Sequence, residues 1–171
     1  MKLVSVKERI KEYFFLHPSE QLRLRQIERN AKVPLPSAIK YTKELVSEGV
    51  LKTIEMGDVT FYTTAQESST YRRQKSLYTT AQLYALLETR DEKNTTIILH
   101  GKGAQGTDTE TTPLTLYIEA KEKTNFPHTA KNLNRTITCT IVKSFKEIKD
   151  NETKNSIING ITLSGRLEVF K

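Results

Sequence analysis

Between Val33 and Thr64 the chain carries a forced break, a helix and a hairpin in immediate succession, which leaves little choice of fold for its first third. Val33-Pro34-Leu35-Pro36 forbids a helix from running through it, because proline lacks the N–H and its ring meets the preceding turn. Pro36 suits a first helical position, where the missing N–H is not needed. Ala38, Thr42 and Leu45 then recur on one helical face, flanked by Ile39 and Val46. Gly49 is placed to end the helix in the left-handed conformation. The run from Leu51 to Thr64 alternates on both sides of Met56-Gly57-Asp58, which predicts a hairpin with a Gly-Asp tip.

Upstream, Val6, Ile10 and Phe14, with Leu3, fall on one stripe of a first helix, which His17-Pro18 ends. Leu22, Leu24 and Ile27 supply the buried side of a short extended entry and a second helix. Helix, helix, turn, helix, hairpin within residues 3–63 resembles the winged helix-turn-helix family. It is most similar to archaeal and bacterial regulators with the run Arg25-Gln26-Ile27, Val33, Ser37-Ala38, Lys40, Lys43-Glu44-Leu45, Glu48-Gly49-Val50-Leu51.

That resemblance implies double-stranded DNA as partner, with the third helix entering the major groove by its N-terminal part. Ser37, Lys40, Tyr41 and Lys43 become the expected reading side chains. Arg23, Arg25, Lys32 and Lys52 become the expected phosphate contacts, which set affinity while base contacts set sequence choice. The wing tip carries Asp58 and no arginine, which argues against a minor-groove contact there.

Charge fits such a partner without locating it. The net charge of +7 divides as +3 over residues 1–64, +1 over 65–93 and +3 over 94–171. No apolar run approaches the roughly 20 residues that a membrane span requires. The N-terminus is amphipathic, without the apolar core of a signal peptide, so residence in the cytoplasm is expected. The N-x-T triplets at Asn94, Asn134 and Asn151 then read as chance matches. Cys139 is the only cysteine and lies in the apolar alternation TITCTIV, which predicts a packed strand thiol. His17, His100 and His128 have no ligand spacing, so neither a metal nor a cofactor is expected.

A boundary near residue 65 is expected, giving domains 1–64 and 65–171. The second opens with a connector helix whose stripe is Leu77, Ala81, Tyr84 and Leu87, capped by Ser68, Ser69 or Thr70. Tyr71, Arg72, Arg73 and Lys75 make a basic patch at its entry, and a polar break follows from Thr89 to Asn94.

Next come a buried-strand pattern, Thr95–His100, the turn Gly101-Lys102-Gly103-Ala104-Gln105-Gly106, and a strand from Leu114 to Glu119. This order resembles the minimal nucleotidyltransferase family, related to the DNA polymerase beta fold. Its pattern is a strand, then G-S-x-A-x-G, a short loop, and S-D-x-D-L on the next strand. Gly101, Ala104 and Gly106 take the glycine and alanine positions. Arg135 to Val142 stands for the third catalytic strand, and the end from Phe145 to Glu168 for a closing helix and short final turn.

The resemblance also implies where acids belong. Nucleotidyl transfer uses carboxylates to hold Mg²⁺ against a triphosphate. Here Lys102 takes the first serine position, Thr112 the second, and Pro113 and Thr115 the two aspartate positions. Thr138, Cys139 and Thr140 are the candidates on the third strand. Asp108 and Glu110 imitate a metal pair by spacing but sit in the preceding loop. Gly101, Lys102, Gly103 and Gly106 remain as a candidate vestigial phosphate cradle, or as the sharp strand-to-helix turn alone.

The expectation is therefore an α+β protein: an N-terminal winged helix-turn-helix plus a C-terminal nucleotidyltransferase-like mixed-sheet domain without catalysis. It would be a DNA-binding transcriptional regulator and a homodimer, its second domain serving pairing, effector or partner binding. An antitoxin-like protein-interaction module and a residual nucleotidyltransferase are the alternatives.

Overall fold

The computed structural model describes residues 5–87, 95–121, 126 and 129–169. Leu3, the polar break 89–94 with its Asn94 triplet, and His128 lie outside the described residues. The chain is α+β with two sheets and divides into two compact units, Met1–Lys75 and Ser76–Lys171.

In the first unit α1 (Val6–Leu16) starts on Ser5, whose hydroxyl accepts the Glu8 N–H, and ends on His17 before Pro18. It buries Ile10, Phe14 and Phe15. Leu22 then forms an isolated antiparallel bridge with Tyr62. Helix α2 (Leu24–Asn30) buries Ile27. Helix α3 (Leu35–Ser47) begins one residue earlier than expected, with Pro34 as its cap and Pro36 in its first turn. Neither position needs an N–H, so both prolines are tolerated.

Ala38, Thr42 and Leu45 are fully buried, and the Thr42 hydroxyl is satisfied by the Ala38 carbonyl at 2.7 Å. Burial of a leucine such as Leu45 contributes about 1.5–3 kcal/mol. Gly49 takes φ +71°, the left-handed stop that a side chain would strain. Strands β1 (Leu51–Met56) and β2 (Val59–Thr64) pair antiparallel from Leu51↔Thr64 to Met56↔Val59, with Gly57 at φ +58° in the two-residue tip.

Helix α4 (Ser69–Leu87) contains the division between the units. Its orientation differs from the sequence expectation. Leu77, Ala81 and Tyr84 are exposed, while Tyr71, Lys75, Ser76, Thr79, Thr80, Leu83 and Leu87 are buried. The basic patch shrinks accordingly to Arg72 and Arg73.

In the second unit β3 (Thr95–His100) is buried along its whole length and leads into the short helix α5 (Gly101–Gln105). Strand β4 (Leu114–Ala120) pairs antiparallel with β3. Strand β5 (Thr129–Ala130) pairs antiparallel with β6 (Arg135–Val142), which runs parallel to β4. Helix α6 (Asn151–Ile158) is capped by Asp150, which accepts the Thr153 N–H at 2.7 Å.

The closing segment is not a turn after a helix. Ile161–Ser164 forms β7, antiparallel to β3 at the sheet edge, so the order is β5-β6-β4-β3-β7. One sheet face packs Ile98, Tyr117, Phe145, Ile148 and Ile157 together. On the other, Gly103 lies so close to Leu114 and Leu99 that an added Cβ would stand 2.8 Å from Leu114 Cδ2.

No described helix is long and apolar enough to cross a membrane.

Candidate nucleic-acid interface

Helix α3 leaves one stripe outward at i, i+4, i+7 and i+11: Pro36, Lys40, Lys43 and Ser47, all exposed. Ser37 and Tyr41 flank it half-buried, and Lys40 Nζ lies 5.2 Å from the Tyr41 ring centroid. A cation over an aromatic face is attracted to it, and both remain accessible to a ligand. The acids of the same helix region are used elsewhere. Lys7 of α1 reaches Glu44 at 3.3 Å and Glu48 at 2.5 Å, and hydrogen bonding to Glu48 raises the Lys7 pKa. Among the described residues, neither Lys40 nor Lys43 has an acidic partner. The face therefore carries two uncompensated cations.

The other expected contacts divide. Arg23 and Arg25 meet Arg29 around a cleft of about 680 Å³ between α2 and β2, which Phe61 and Asp58 also line. Arg23 lies 5.0 Å from the Phe61 ring centroid, and Arg25 pairs with Glu28 at 3.3 Å. Arg29 was absent from the sequence expectation; its i+4 spacing from Arg25 was the available signal. Lys32 is exposed at φ +52°, and the Arg9 guanidinium donates to its carbonyl and to that of Ala31.

Lys52 is held at 3.0 Å by Glu67, whose own pKa falls through a hydrogen bond to its backbone and then the lysine contact. Lys52 is thus already engaged, unlike Lys40 and Lys43.

In the second unit two of the positions where an acid is expected, Thr115 and Thr138, are neighbours, while Pro113 precedes β4 and Cys139 alternates to the other face. Thr115 pairs with Thr138 across β4 and β6, and both lie on the face that carries Tyr117 and Ile98. Thr115 Oγ1 donates to the His100 carbonyl at 2.7 Å. Asp108 does not reach this pair. It is buried against Arg135, Nε to Oδ2 3.8 Å, and Arg135 alternates to the opposite face from Thr136 and Thr138. Among the described residues no three His, Cys, Asp or Glu side chains stand together as a metal site.

The glycines of the turn each have a geometric reason. Gly101 has φ +67°, Gly103 packs on Leu114, and Gly106 caps α5 at φ +67°. Lys102 is exposed beside them. His100, which sequence reading left without a role, is buried; its Nδ1 lies 3.1 Å from Ser156 Oγ, which also accepts the Gly101 N–H at 3.1 Å. Burial lowers the His100 pKa. The two residues are 56 apart in sequence, so no local pattern signals the pair. Cys139 is half-buried on β6.

No protein-family model, curated protein or solved structure matches this chain.

Proposed function

We propose that the chain is a DNA-binding regulator whose first unit is a winged helix-turn-helix. The order α1, bridge residue Leu22, α2, α3, β1, β2, with Leu22 paired to Tyr62 beside the hairpin, supports that reading. The observation that carries it is the exposed side of α3. Among the described residues Lys40 and Lys43 stand there without acidic partners, while Glu44 and Glu48 both turn to Lys7. A polyanion is the partner that such a face attracts, and a helix is the element that a major groove admits.

The second unit is a nucleotidyltransferase-like scaffold that does not transfer nucleotides, and it serves pairing, effector or partner binding. Support comes from the hydroxyl and proline side chains, Pro113, Thr115 and Thr138, at the positions where divalent-ion chemistry needs carboxylates.

The test is retention of genomic duplex fragments by the full chain across a salt titration. Real phosphate contact gives a steep fall of log affinity with log salt. Absent retention at low salt, or retention indifferent to salt, overturns the reading.

A further inference from the structure

Within the second unit helix α4 leaves an apolar stripe uncovered. Its side toward the protein is mixed: Ser76, Thr79 and Thr80 are buried together with Leu83 and Leu87, and Ser76 Oγ donates to the Ala104 carbonyl at 2.7 Å. Its outward side is apolar: Leu77 is 62% exposed, Tyr84 is 42% exposed, and Ala81 and Ala85 are exposed between and beside them. Residues at i, i+4, i+7 and i+8 are the spacing by which a helix ordinarily enters a core. The Tyr84 hydroxyl is satisfied by the Thr162 carbonyl at 3.2 Å, which leaves the ring as apolar surface.

We infer that this stripe is a homodimer interface, in which α4 of one copy packs antiparallel on α4 of a second. Charge limits where a second copy can dock. A chain of net charge +7 repels its own copy over most of its surface, but the twelve residues from Ser76 to Leu87 contain no charged side chain. Charge also selects the direction. The exposed Arg72 and Arg73 precede the stripe, so parallel pairing would bring four guanidiniums together, whereas antiparallel pairing sets them at opposite ends.

The stripe is self-complementary about its middle. Ala81 falls at the two-fold axis, where a small side chain lets the helices approach, and Leu77 of each copy meets Tyr84 of the other. The patch is short, so a micromolar dimer is the expected strength.

The pairing does not depend on DNA and is measured without it. Sedimentation equilibrium of the full chain from about 1 to about 100 µM is expected to show a monomer–dimer equilibrium. Leu77→Glu, at an exposed position, should weaken it about tenfold or more with unchanged circular dichroism. A crosslinking arm in a Cys139→Ser background keeps the inference testable whatever Leu77→Glu does to folding. Ala81→Cys should form a disulfide between copies under mild oxidation. Leu77→Cys should not, because antiparallel helices place the two residues about 12 Å apart along the axis.

A monomer throughout the range overturns the interface, as does a dimer indifferent to Leu77→Glu. Crosslinking through Leu77→Cys as readily as through Ala81→Cys overturns the antiparallel arrangement. None of these outcomes decides whether the first unit binds DNA.

Discussion

Arg135 Nε lies 3.8 Å from Asp108 Oδ2, with 4% and 3% of the two side chains exposed. The acid that most resembles a substitute metal ligand in the sequence is thus a structural counter-ion. Removing one member of a buried ion pair strands the other charge, at a cost of about 3–5 kcal/mol. Asp108→Asn should therefore lower the urea midpoint of the second unit strongly. The double change Asp108→Leu with Arg135→Met should recover most of the loss, since a packed apolar pair can replace a buried ionic one. Equal midpoints for the wild type and Asp108→Asn would refute the assignment.

Lys40 and Lys43 should behave differently from Lys52 in DNA binding. Each of the first two is exposed on α3 without an acidic partner among the described residues, whereas Lys52 is engaged by Glu67 at 3.0 Å. Lys40→Ala and Lys43→Ala are each expected to cost about 1–3 kcal/mol for a base contact, or to reduce the salt slope by about one for a phosphate contact. Lys52→Ala should change affinity little. Anisotropy titrations of a selected duplex at several salt concentrations separate these cases. A larger loss from Lys52→Ala than from the α3 lysines would move the interface off α3.

His100 should make the second unit acid-sensitive. Burial holds its pKa below the ordinary 6.5, so the unfolded chain binds more protons than the folded one in the interval between the two values. Stability rises with pH where the unfolded state holds more protons. The contribution is accordingly complete above about pH 6.5 and is lost as pH falls through the folded value. His100→Asn retains a group able to reach Ser156 and removes the titration. Its unfolding midpoint should be lower at neutral pH but should vary less from about pH 8 to pH 5 than that of the wild type. Parallel profiles would show that another group controls the acid limb.

What the sequence discloses about this chain is mostly what local chemistry decides. Proline and glycine fixed by φ and N–H bonding marked the ends of α1 and α3 and the hairpin tip, because those constraints act within a few residues. Periodicity found α4 but named the wrong side. Apolar recurrence reports that a face prefers to be covered, not which body covers it, and here Ser76, Thr79 and Thr80 turn inward while Leu77 and Tyr84 remain outside. Strand β7 escapes the sequence because four residues of ITLS between two glycines carry little pattern; its identity comes from pairing with β3, far away in sequence. The Thr115–Thr138 pair likewise depends on register across β4 and β6, and the Asp108–Arg135 pair joins a loop to a later strand, which no single segment encodes. Lys40 and Lys43 were legible as candidates, but the engagement of Glu44 and Glu48 by Lys7 depends on contact between α1 and α3.

Gly101 offers a way to separate a structural turn from a phosphate cradle. Its φ of +67° is left-handed, and a Cβ there would stand 2.9 Å from Thr115 Oγ1. That hydroxyl is itself fixed by its 2.7 Å bond to the His100 carbonyl. Gly101→Ala thus carries a conformational cost of about 1–2 kcal/mol for the left-handed residue, plus whatever the threonine must yield. Thr115→Ala clears the contact but leaves the φ cost, so the double variant should regain part of the lost stability and no more. Thermal unfolding of the four proteins, with and without millimolar inorganic phosphate, tests both roles together. A turn that only redirects the chain gives the same ranking in either buffer. Phosphate that stabilises the wild type, and not Gly101→Ala, would establish an anion site at the turn and require Lys102 to be tested as its side-chain contact.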